Sequence, residues 1–155
     1  MANRTWLFKS EPSAYSYDDL VNDSVAEWDG VRNFQARNFL RDDVEPDDRI
    51  LFYHSNVKPP AIMGTATVVR SGYPDNTAWN PKSDHPDPKS TSANPIWYMV
   101  DIKADECFAE PVTLDTIRNT PELSNMLLIR KGMRLSIQPV TKKEFDLICQ
   151  MGKKT

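Results

Sequence analysis

Between Gly72 and Pro95 the chain places five of its twelve prolines, hardly any aliphatic residue and a solitary Trp79. Proline removes a backbone donor and fixes φ, so no helix or central strand can run through such a stretch. Long segments without regular structure are uncommon in compact domains and belong to functional or disordered loops. The fold must therefore be assembled from short elements on either side of it.

Those elements are legible as short runs. Thr5 to Lys9 is an apolar run of strand length, stopped by Ser10-Glu11-Pro12. Ser16 is a helix N-cap followed by acids in the first turn, and Asn33 caps a second helix with Ala36, Phe39 and Leu40 on one face. Arg49 to His54 reads as a buried strand and Ala61 to Val69 as a strand crossing Gly64, where another backbone or a ligand approaches closely. After the long loop, Ile96 to Ile102 alternates as a strand, Val112 to Asn119 is a short helical stretch, and Arg134 to Gln138 is a strand. Thr141 and Glu144 form a capping box that opens a last helix with Phe145, Ile148 and Cys149 inward. The order predicts an α+β fold: a barrel-like mixed sheet flanked by short helices.

Bulk properties narrow the function. At 155 residues the chain fits one domain, placed at residues 2–152. No stretch approaches the roughly 18 apolar residues of a membrane span, and Met1 to Trp6 lacks the apolar core of a signal peptide. A cytoplasmic, monomeric protein without a membrane partner is the expectation. Cys107 and Cys149 read as reduced, half-buried thiols. With a net charge of −3, the chain as a whole does not attract nucleic acid, so such binding needs a local basic face. Arg130, Lys131 and Arg134 form one small cluster, and Lys58, Arg70, Lys82 and Lys89 another.

Catalytic constellations are weak. The two histidines, His54 and His85, and the two cysteines show no ligand spacing, so no metal and no cofactor is expected. His54 and Ser55 are adjacent strand residues whose side chains point to opposite faces. A binding pocket is better supported. Trp28 and Trp97 stand among acids, amides and arginine, where an indole serves either as a core anchor or as a stacking wall for a flat ligand. Ser55 and Asn56 leave a buried strand with a hydroxyl and an amide, a donor–acceptor kit suited to the edge of a base. Lys9 and Ser10 end the first strand similarly. Arg32 and Asn33 fit a phosphate contact or a helix cap, and Tyr73 opens the long loop.

Several stretches carry a family resemblance. Trp6 to Pro12, Trp28 to Phe39 and Leu51 to Asn56 resemble the EVE domain family, which includes thymocyte nuclear proteins and small bacterial relatives. Gly72 to Asp75, Asp87 to Ser90, Pro95 to Asp101 and Arg134 to Val140 extend the resemblance over nearly the whole chain. It implies a PUA-like curved β-barrel and a non-enzymatic reader of a modified base, such as methylated or hydroxymethylated cytosine, in DNA or RNA. Carried onto this chain, the pocket would comprise Trp28, Trp97, Ser55, Asn56, Lys9, Ser10 and Leu135, with the two indoles sandwiching a flipped base. The related ASCH proteins suggest an alternative, a hydrolase or nuclease using Lys9, Glu11 or Asp75 as acid or base. The chain departs from many relatives at Trp79-Asn80 and at His85-Pro86, where relatives often have Phe-Asp and two tyrosines. The eukaryotic members carry a long basic N-terminal extension that this sequence does not show, so the resemblance leads to the expectation of the bacterial, single-domain form.

Overall fold

The first strand, β1 (Thr5–Ser10), buries Trp6, Leu7 and Phe8 almost completely, so both of its faces are covered. Trp6 and Phe8 enter one core with Tyr17, Trp28, Ile50 and Phe52; Leu7 enters a second with Leu51, Tyr53, Phe145 and Ile148. Strand periodicity sends alternate side chains to opposite faces, which is why a continuous apolar run serves two cores. The structure, a computed structural model, describes residues 3–153.

Beyond β1 the chain forms α1 (Tyr17–Asp23), β2 (Val25–Trp28) and α2 (Phe34–Asn38), the last running into a π-helical turn at Phe39–Asp43. Then come β3 (Arg49–His54), β4 (Ala61–Pro74), a 3-10 turn at Asn76–Trp79 and β5 (Tyr98–Thr113). The chain closes with α3 (Leu114–Arg118), two 3-10 turns, β6 (Ile137–Val140) and α4 (Lys142–Gly152). The expected caps are present: Ser16 and Thr141 each complete a capping box, and Asn33 accepts the Ala36 N–H.

The six strands lie in the order β2-β5-β4-β3-β1-β6, with β1 and β3 parallel and every other pair antiparallel. The fold is the PUA-like α+β type. Its sheet is curved but open, where a barrel was expected, because the edge strands β2 and β6 do not pair. Repeated register shifts between β4 and β5 supply the curvature. One lies at Gly64, where an added Cβ would stand 2.5 Å from the Glu106 carbonyl oxygen and 2.7 Å from the Tyr17 ring. The bulges also explain why β4 and β5 run far beyond the residues whose alternation marks them. Gly72 and Tyr73 therefore belong to β4, and β6 begins three residues later than expected.

Two buried polar groups fix the ends of these strands. Asp48 accepts the Trp6 indole N–H (2.9 Å) and the backbone N–H groups of Arg4 and Glu45 (3.0 and 2.9 Å). His54 is buried at the end of β3, where its Nε2 accepts the first helical N–H of α1, from Tyr17, at 3.0 Å. That bond requires a neutral ring, and burial lowers the His54 pKa below its ordinary value. In the unfolded chain His54 takes up a proton near pH 6.5, whereas in the fold it does so only at lower pH. The unfolded state thus binds more protons in that window, and stability falls as pH drops from about 6.5 toward the folded value. His54→Gln, which retains an acceptor, is expected to flatten this part of the stability profile, as read from urea midpoints at about pH 7.5 and about pH 5.

Candidate functional site

Lys9 and Ser10 at the end of β1 and Trp28 at the end of β2 line one cleft of about 510 Å³. That volume falls within the range of about 300–1,000 Å³ typical of small-molecule sites. The Lys9 N–H donates to the Ser136 carbonyl (2.9 Å), which brings the loop before β6 to the same rim. Ser10 Oγ donates to the Tyr15 carbonyl at 2.5 Å and holds the turn that carries Tyr15.

Trp28 lines the cleft, although only 9% of the residue is exposed. Its ring packs on Phe8, Phe52 and Tyr15, with centroids 5.6, 5.5 and 6.2 Å away. Three aromatic neighbours in the core leave the indole little freedom, and a rigid ring loses little entropy when a ligand stacks on it.

The other side of the cleft comes from the proline-rich segment and depends on one carboxylate. Asp75 is fully buried and accepts from Gly30 N–H (2.9 Å), Arg32 Nη1 (3.0 Å), Thr77 N–H (2.9 Å) and Thr77 Oγ1 (2.5 Å). Burial alone would push its carboxyl up; the bonds from Thr77, Gly30 and Arg32 outweigh that and hold it below the usual carboxylate range. The remaining donors of Arg32 reach the His85 carbonyl from Nε (3.3 Å) and Nη2 (2.7 Å). One guanidinium thus clamps the long loop onto the turn after Trp28 and sets His85 at the cleft. Gly30 makes this possible twice over: its φ is +78°, and a Cβ there would lie 2.9 Å from the imidazole. His85 Nε2 stands 3.4 Å from an Asp29 carboxylate oxygen.

Charge in the cleft is mixed, with an acidic excess. Glu11, Glu27, Asp29 and Asp84 line it against the permanent cations Lys9 and Arg32. Partial burial lowers the Lys9 pKa, so its ammonium gains from an acceptor on a ligand. The arrangement suits a flat, largely neutral group with donors and acceptors on its edge better than a polyphosphate.

Of the residues singled out from sequence, Lys9, Ser10, Trp28 and Arg32 of the expected pocket line the cleft, as do Glu11 and His85; Trp97, Ser55, Asn56, Asn33, Tyr73, Leu135 and Asp75 do not. The facing pair of indoles is not formed. Trp97 is buried behind Arg32, whose Cζ lies 5.4 Å from its ring centre; it stacks on Phe34 at 4.9 Å and donates its N–H to Asp87 at 2.6 Å. Ser55 gives its backbone N–H to the Ser10 carbonyl (2.9 Å), and Asn56, at φ +55°, donates from Nδ2 to Glu11 (2.7 Å). Both act on cleft residues from outside. Tyr73 donates to Asp101 under the Arg70 guanidinium, while Asn33 and Leu135 line a separate groove. Cys107 is exposed rather than half-buried.

Tyr15 and Ser136 also line the cleft, and neither carries a local sequence signal. His85 shows in the sequence as a departure from relatives, without a role. Among the described residues, no three His, Cys, Asp or Glu side chains group to hold a metal ion, and no helix is long and apolar enough to cross a membrane.

Comparison with known proteins places this architecture. The model of the EVE domain matches residues 4–151, and the chain belongs to that family. It is 37% identical to human thymocyte nuclear protein 1 over 168 residues, 96% of this chain and 74% of that protein. Among solved structures, one of the human THYN1 protein in complex with DNA containing 5-methylcytosine matches with a TM-score of 0.91 at 36% identity, over 99% of both chains. A hypothetical protein from Leishmania major matches with a TM-score of 0.92 at 41% identity, over 98% of this chain and 96% of that one. ASCH from Zymomonas mobilis, at 11% identity and a TM-score of 0.54 over 96% of this chain and 95% of that one, shares the fold alone.

The clamp makes a testable demand. Asp75→Ala leaves the Gly30 and Thr77 N–H groups without their acceptor and takes the carboxylate partner from Arg32; stranding buried donors costs about 1–3 kcal/mol. Urea unfolding is expected to show a loss of that size, together with faster amide exchange across residues 76–90.

Proposed function

We propose that this protein is a non-catalytic reader that takes a modified cytosine, flipped out of DNA or RNA, into the Trp28 cleft. The observation that carries the reading is the rigidly backed indole in a cleft with ample room for a nucleobase and with donors and acceptors at its rim. The structural likeness to a relative in complex with 5-methylcytosine DNA supports it. In this reading the base lies against Trp28, with Tyr15 and His85 as the other aromatic surfaces of the cleft. Lys9 and Ser136 address acceptors on the base, and the cleft carboxylates address an exocyclic amine, which carboxylates accept from. Arg32, Trp97, Ser55 and Asn56 hold the walls in place.

Binding rather than turnover is proposed because, of the groups considered as acid or base, Glu11 already accepts from Asn56 Nδ2 (2.7 Å) and Lys9 stands in the cleft without a hydrogen-bonded partner among the described residues to act with it. Asp75 stands outside the cleft with its oxygens occupied, and His54 serves as an acceptor in the core. Burial pushes the Cys149 thiol up, away from thiolate.

Trp28→Leu is expected to weaken binding of a single-stranded oligonucleotide carrying one 5-methylcytosine by about 1–3 kcal/mol, the value of a base–aromatic stack. Trp28→Phe should retain part of that affinity and serves as the folded control. Fluorescence anisotropy measures both, with near-UV circular dichroism to establish packing. Unchanged affinity in folded Trp28→Leu would remove the cleft from consideration.

A further inference from the structure

A base in nucleic acid arrives attached to phosphates, and the cleft described above is poorly furnished for them, with carboxylates outnumbering its cations. Next to it lies a second groove of about 340 Å³ with the opposite character. Asn33 and Gln35 form one wall; Lys131, Arg134 and Leu135 belong to the other, and no carboxylate lines it. The two depressions share their walls through the chain itself. Arg32 lines the cleft and Asn33 the groove; Ser136 lines the cleft and Leu135 the groove.

The cations of the groove also differ from the arginines that this protein neutralises with its own carboxylates. Arg4, Arg32, Arg41 and Arg49 each lie within 4.0 Å of a carboxylate. Among the described residues, Lys131 and Arg134 have no such partner, and neither does Arg130, whose carbonyl accepts the Met133 N–H (3.1 Å) to close the turn that presents Lys131. On a chain of net charge −3, an unneutralised cluster beside the candidate site is a local exception to the surface as a whole.

We infer that this groove seats the phosphodiester backbone flanking the base held in the cleft, with Lys131 and Arg134 each neutralising a phosphate and the Asn33 and Gln35 amides available as neutral donors. The inference rests on the base-reading function and adds to it the path of the strand. It assigns affinity for polymer and selectivity for the base to separate residues.

The test compares wild-type protein with Lys131→Ala/Arg134→Ala, and with Lys142→Ala/Lys143→Ala on α4 as a variant of equal charge change. Two probes are used: the free nucleoside 5-methyl-2′-deoxycytidine, by calorimetry, and a single-stranded DNA of about nine nucleotides containing one such residue, by anisotropy between about 50 and 200 mM NaCl. Lys131→Ala/Arg134→Ala is expected to bind the nucleoside as wild type does. It should bind the oligonucleotide several-fold more weakly, with a salt slope lower by about 1.4, at about 0.7 per single-strand phosphate. The α4 variant should keep the wild-type slope. Equal slope loss in both double variants overturns the groove in favour of a general charge effect. An unchanged slope in Lys131→Ala/Arg134→Ala, with nucleoside binding intact, overturns the groove and leaves the cleft reading standing. Slope loss confined to the groove variant, in a protein that binds no nucleoside, supports the backbone path and sinks the base reading. Binding of neither probe by wild type overturns both.

Discussion

The Asp75–Arg32 pair is the interaction on which the arrangement of the site depends. The proline-rich segment buries little aliphatic surface beyond Ala78, so its position is set chiefly by polar contacts. A carboxylate with no exposed surface and a guanidinium with three of its four hydrogen bonds directed at the segment achieve this where a surface pair could not. Exposed ion pairs are worth little in water; a buried pair is costly to break from one side. The loop consequently behaves as a wall of the cleft rather than as a tether.

Trp28 and Trp97 show how one residue type takes two roles on either side of that clamp. Trp28 is backed by core aromatics and turns part of its surface to the cleft. Trp97 is enclosed between Phe34 and Arg32, with its N–H committed to Asp87. The first contributes an apolar face to a ligand, whereas the second stiffens the guanidinium that holds the loop. Their sequence settings share only a neighbouring turn: Trp28 stands between Glu27 and Asp29 before Gly30, and Trp97 between Ile96 and Tyr98 after Asn94-Pro95.

Much of the fold was legible because local chemistry agreed with tertiary need. The caps at Ser16, Asn33 and Thr141 and the runs at Thr5 to Lys9 and Arg49 to His54 appear where the residues indicate. Strand β2 escaped notice because it is an edge with exposed Val25 and Glu27, so its alternation gives little signal. The lengths of β4 and β5 were hidden by bulges that break the period of two. In the site, Lys9, Ser10, Trp28 and Arg32 stood out from their positions at strand ends and turns. Tyr15, Ser136 and His85 reach the cleft from three loops distant in sequence, a convergence no local pattern encodes.

Arg32 grips residue 85 by its carbonyl oxygen, leaving the imidazole outside the clamp. A peptide carbonyl is common to every amino acid, so the anchor is indifferent to which side chain it displays. One lining of the recess can therefore be exchanged by a single codon while its scaffolding stays put, a route by which paralogues could diversify what they recognise without rebuilding the protein.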